Sequence, residues 1–130
     1  MTSQTASCCC GQLRVVCEGP PMRVSLCHCL ECQKRTGSLF GVAARYRIEN
    51  VKFEGRAKSW SRRGDEGNLI EFHFCPECGS NVWWQIEAHP DIVAVAAGNF
   101  ADPDFPMPMR SVYQHRRHPW LELPERIERI

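Results

Sequence analysis

Nine cysteines, at positions 8, 9, 10, 17, 27, 29, 32, 75 and 78, constrain this 130-residue chain more than any other feature. Their number is odd, and "MTSQTAS" at the start has neither a basic region nor an apolar core of the kind that directs export. A disulfide framework is therefore a poor reading. Close clusters of thiols in a reducing compartment are metal ligands or redox groups more often than bridges. The expected address is cytoplasmic.

Spacing sorts the sulfurs. In an extended strand, side chains i and i+2 share a face. Cys8 and Cys10 of "CCCG" can then hold one ion while Cys9 points away, and Gly11 lets the chain turn beside it. Cys75-Pro76-Glu77-Cys78-Gly79 is a second two-sulfur hook, with a proline to preset the turn and a glycine to relieve it. Together the hooks make a closed four-cysteine zinc site, a structural one, which ties the two regions together against loop-closure entropy.

The same parity applies to Cys27-His28-Cys29-Leu30-Glu31-Cys32, "CHCLEC". Cys27 and Cys29 share a face, Cys29 to Cys32 is another two-residue hook, and His28 should point elsewhere. With four cysteines already used, only Cys9, on the wrong face, and Cys17, in the apolar alternation Leu13-Val15-Cys17, remain as a fourth ligand. The arithmetic leaves three sulfurs and an open position, the arrangement expected of a catalytic zinc.

Between the clusters the sequence reads as strands. Leu13 to Cys17, Phe40 to Tyr46, Leu69 to Phe74, Val82 to Ile86 and Ile92 to Val95 are alternating or rich in β-branched and aromatic residues. Gly19-Pro20-Pro21, Glu54-Gly55, Gly64 to Gly67 and His89-Pro90 punctuate them. Helical turns are expected to be short only, one of them after Cys29 through Lys34. The segment from Asp102 to Trp120 holds too many prolines for regular structure. The expectation is one mainly β domain over residues 1–130. A formal charge of +1 gives no surface for nucleic acid, and the apolar run Ile92 to Ala97 is too short for a membrane.

Weaker candidates have simpler readings beside them. Lys34 and Arg35 sit where they could offset a tris-thiolate charge or hold a substrate carboxylate, but surface charges need no explanation. The basic segment Arg110, His115, Arg116, Arg117 and His118 reads first as solvated surface. Of the neighbours Trp83 and Trp84, at least one belongs in the core.

"CHCLECQKRTGS", "FCPECGS" and the upstream "CCCG", with "VAAGNFADP" and Trp120, resemble the glutathione-dependent formaldehyde-activating enzyme family, which includes centromere protein V. The resemblance implies a β-tent fold of antiparallel sheets. It also implies two zinc ions, a structural one on Cys8, Cys10, Cys75 and Cys78 and a catalytic one on Cys27, Cys29 and Cys32. The implied activity is a carbon–sulfur lyase reaction that joins glutathione, or another small thiol, to formaldehyde as S-(hydroxymethyl)glutathione. Lys34, Arg35 and the turn from Gln33 to Ser38 would meet the substrate. The alternative is a non-catalytic zinc module serving a protein partner or scaffold.

Overall fold

The computed structural model describes residues 2–130. Eleven strands form two sheets: β1 (Ser3–Ser7), β2 (Arg14–Glu18), β3 (Arg23–Cys27), β4 (Gly41–Arg47), β5 (Val51–Glu54), β6 (Lys58–Arg63), β7 (Leu69–Phe74), β8 (Asn81–Ile86), β9 (Ile92–Ala96), β10 (Arg110–Val112) and β11 (Glu128–Arg129). The smaller sheet has the order β1-β2-β5, and the larger runs β11-β10-β3-β4-β9-β8-β7-β6. The mainly β expectation holds. All pairings are antiparallel except at one edge, where β10 lies parallel to both β3 and β11.

Side-chain alternation gives the large sheet two different faces. Val24, Ala44, Tyr46, Val93, Val95 and Trp83 point to one side and form the main core with Ala6, Leu13, Val15 and Cys17 of the small-sheet region. Phe53 of β5 packs on Trp83 with ring centroids 4.2 Å apart. On the opposite side Phe72, Trp84 and Ala94 form a smaller cluster, flanked by Ala43, Ala96 and Ile70. Both tryptophans are thus buried, one per face.

The single α-helix among the described residues, α1 (Leu30–Thr36), begins and ends for local reasons. Cys29 caps it, its sulfur accepting from the Cys32 N–H at 3.2 Å. Glu31 lies in the first turn and Lys34 and Arg35 in the last, matching the helix dipole. Gly37 at φ 71° closes it, donating its N–H to the Gln33 carbonyl. Short 3₁₀ turns occupy Ile48–Asn50, Ala97–Phe100 and Gln114–Arg116. No helix among the described residues is long and apolar enough to cross a membrane.

The proline-rich tail departs from expectation. It supplies β10 and a 3₁₀ turn because β3 offers an open edge: His28 donates its N–H to the Val112 carbonyl and Met109 donates to Val24. Tertiary pairing overrides weak local propensity there.

Candidate metal centres

Two groups of sulfurs converge. The Sγ atoms of Cys8, Cys10, Cys75 and Cys78 all lie within 4.8 Å of one another, and so do those of Cys27, Cys29 and Cys32. Cys9 is exposed and belongs to neither group, and Cys17 is fully buried in the core. Among the described residues no fourth cysteine completes the second cluster.

The four-sulfur group is built from two tight turns. Gly11, at φ 82°, donates to the Cys8 carbonyl, and Gly79, at φ 79°, donates to the Cys75 carbonyl. Positive φ at these places favours glycine. Cys8 and Cys10 sulfurs stand 3.6 Å apart, Cys10 and Cys75 3.7 Å. A tetrahedron with zinc–sulfur bonds of 2.3 Å has edges of about 3.8 Å, so the donors fit that ion. N–H groups also converge on the sulfurs, as suits thiolates. Leu13 donates to Cys8 at 3.3 Å, Glu77 to Cys75 at 3.4 Å, and the Gln12 side chain to Cys75 at 2.9 Å. The Ser80 hydroxyl, 3.3 Å from Cys78, leads the hydrogen bonds that lower the Cys78 thiol to about 5.

The three-sulfur group spans the end of β3 and the first turn of α1. Parity works as the sequence indicates: Cys27 and Cys29 face one way while His28 is wholly buried on the other, bonded through Nε2 to the Ser111 hydroxyl at 2.7 Å. Hydrogen bonds from Cys27 and Cys29 hold the Cys32 thiol down at about 2, with Arg35 adding its charge. Cys27 is correspondingly pushed up, by its bonds to Cys29 and Cys32 and by burial. Three converging sulfurs with an arginine beside Cys32 make a donor set suited to a thiophilic cation.

Arg35 is the pivot around this cluster. Its Nη2 lies 3.8 Å from the Cys32 sulfur, its Nη1 donates to Asn81 Oδ1 at 2.8 Å, and its guanidinium sits 4.3 Å over the Trp84 ring. It also lines a cavity of about 420 Å³ whose walls include Thr36, Phe40, Gly41, Ser80, Asn81 and Asn99. The cavity thus lies between α1 and the Cys75–Ser80 turn. Gly41 keeps it open: a Cβ there would stand 3.1 Å from Arg35 Nη2 and 3.5 Å from Cys32 Cβ.

Of the other two proposed contacts, Lys34 is exposed and pairs with Glu31 at 3.5 Å, and Ser38 gives its N–H to the Thr36 hydroxyl; neither lines the cavity. The Gln33 and Gly37 N–H groups are used inside α1 and its cap. The basic tail is more than solvated surface, because His118 meets the Gln33 side chain at 3.0 Å and Gln33 in turn donates to the His28 carbonyl at 2.9 Å. Gln12, Ser80 and Asn81 escaped the sequence reading, and Gln33 entered it only through its backbone turn and not through its side chain. Each lies beside a cysteine motif, but nothing in an isolated amide or hydroxyl marks its direction.

The sequence matches, over residues 3–116, the model of a family described as glutathione-dependent formaldehyde-activating enzyme. That match stops short of Trp120, which is 68% exposed. Solved structures that resemble the chain include a crystal structure of a Rhodobacter sphaeroides protein, with a TM-score of 0.54 and 18% identity, covering 73% of this chain and 85% of that one. At such identity the likeness is one of fold. No curated protein matches the sequence.

Proposed function

The chain belongs to the glutathione-dependent formaldehyde-activating enzyme family, and from that premise we propose that it is a zinc-dependent carbon–sulfur lyase-type enzyme joining a small thiol such as glutathione to formaldehyde. The 130 residues act as one domain carrying two ions. Cys8, Cys10, Cys75 and Cys78 hold the structural one and Cys27, Cys29 and Cys32 the other. The observation that carries the reading is a three-sulfur cluster, without a fourth cysteine among the described residues, next to a cavity of about 420 Å³ through Arg35 and Gly41.

A zinc ion held by Cys27, Cys29 and Cys32 would supply a site for a soft thiol and would lower the pKa of that thiol. The remaining work belongs to the chain. The cavity admits the thiol and the aldehyde together, replacing a bimolecular encounter with a held geometry. As the sulfur–carbon bond forms, the carbonyl π pair moves to oxygen, which then takes up the proton that the thiol has released. Arg35 and Asn81, fixed to each other at 2.8 Å, are placed to bond that oxygen as its charge grows. In reverse, the same groups steady the oxygen while the thiolate leaves. Nine thiols require a reducing compartment for this chemistry, consistent with a cytoplasmic address.

The test is exchange NMR of glutathione with formaldehyde, with and without the zinc-loaded protein. Faster interconversion of free and hydroxymethylated thiol supports the proposal, and a Cys29→Ser variant should abolish the gain. An unchanged rate with every small thiol tried would leave the scaffold alternative.

A further inference from the structure

The face of the large sheet turned away from the small sheet carries an unneutralised arginine cluster. Arg23 on β3 is the direct cross-strand partner of Arg45 on β4. Arg110 on β10 lies opposite Ser25, the next residue of β3 on that face. The Nε atoms of all three arginines, and the Ser25 hydroxyl, are buried without a hydrogen-bond partner. Among the described residues none of the three guanidinium groups forms an ion pair. Burial, and then the neighbouring arginines, push Arg23 and Arg45 below the usual arginine range. Folding gathers like charges here and leaves donors unsatisfied, which opposes stability unless an anion arrives.

The rows of the sheet show where such an anion would connect. One row reads Arg23, Arg45, Ala94, Trp84, Phe72 and Trp60 across six strands. The next row toward the sulfurs is Arg110, Ser25, Ala43 and Ala96, and beyond it Cys27 stands opposite Gly41. Small side chains therefore pave the way from Cys27 to the arginines. Arg23 and Cys27 share the strand and the face at a separation of four residues, about 13 Å.

We propose that Arg23, Arg45 and Arg110 form a carboxylate-binding subsite, separated from Cys27 on the same sheet face by the small side chains of Ser25 and Ala43, and that it selects thiols carrying carboxylates several bonds from sulfur. This rests on the lyase reading and adds to it the residues of this chain that would hold the carboxylates of the thiol. The planar guanidinium fork suits a carboxylate, and partial burial strengthens the contact relative to open surface.

The test is calorimetric titration of the zinc-loaded full chain with two probes. S-methylglutathione keeps both carboxylates and has no free thiol; its diethyl ester lacks both carboxylates. The diacid should bind at least 10-fold more tightly than the diester. Arg45→Gln and Arg23→Gln should each weaken the diacid 10-fold or more without moving the diester, while Arg14→Gln, which alters a pair with Glu54 on the small sheet, changes neither. Equal affinity of the two probes for the unmodified chain, a comparison that needs no variant, overturns the subsite. Diacid binding indifferent to both glutamine variants does so as well. Thiol–formaldehyde exchange on the same preparations separates the two ideas. Loss of diacid preference with catalysis intact removes the subsite alone, and diacid preference without catalysis removes the lyase reading alone.

Discussion

The sulfurs of Cys10 and Cys75 lie 3.7 Å apart although 65 residues separate them along the chain. Any ion that they share closes a long loop and joins the end of β1 to the end of β7. Cys75→Ser should therefore lose one ion and destabilise the whole fold by several kcal/mol, since structural zinc contributes folding free energy outright. Cys29→Ser should lose the other ion and still unfold cooperatively. Metal content per chain and a thermal melt on each variant check the pair of outcomes; equal damage from both would contradict the division of labour.

Gly55 makes the closest backbone approach beside the four-sulfur group. At φ 92°, a Cβ there would stand 1.9 Å from the Gln12 carbonyl oxygen, and Gln12 is the residue whose amide reaches Cys75. Gly55→Ala should cost about 3 kcal/mol or more, from left-handed strain plus the forced shift. Urea unfolding would measure it.

Arg35 lowers the Cys32 thiol after the two neighbouring cysteines have done so. Without it, protons compete better for that sulfur, and the three-sulfur ion should leave at a higher pH. Arg35→Met is expected to move the midpoint of acid-induced metal release upward while the four-sulfur ion is released as before. A chromophoric chelator across a pH series reads both events.

Cys17 is buried in the main core, and burial pushes its thiol up to about 12 from 9.0. A raised folded-state pKa gives stability that is intact below pH 9 and declines as pH climbs toward 12, because only the unfolded chain releases the proton in that window. The loss is at most about 1.4 kcal/mol per pH unit. Cys17→Ala should flatten the fall in stability between pH 9 and 11, with a modest cavity penalty at neutral pH. Tyr46, also raised by burial, adds to the decline at the upper end of the window.

Sulfur positions were legible because parity along a strand and two-residue hooks are local geometry, and Cys8, Cys10, Cys75 and Cys78 converge accordingly. The alternating strand β4 and the wholly apolar strand β9 were legible because their patterns are local too. The polar strands were not: β1 reads Ser-Gln-Thr-Ala-Ser and β6 Lys-Ser-Trp-Ser-Arg-Arg, and only their partners β2 and β7 make them strands. Arg110 looked like tail surface because its neighbours Arg23 and Arg45 come from β3 and β4, a proximity that no window of sequence contains. The cavity beside Arg35 was hidden likewise, being walled by four separate stretches of chain.

Ser80 and Asn81 are consecutive, yet Ser80 touches one sulfur cluster and Asn81 reaches the other through Arg35. The Ser80 hydroxyl lies against Cys78 and takes the Cys9 N–H, while Asn81 grips the arginine that leans on Cys32. The two sulfur clusters are therefore mechanically in series. Filling one should stiffen the mount of the other, so a zinc titration ought to deviate from two independent isotherms, and Asn81→Ala ought to restore independence.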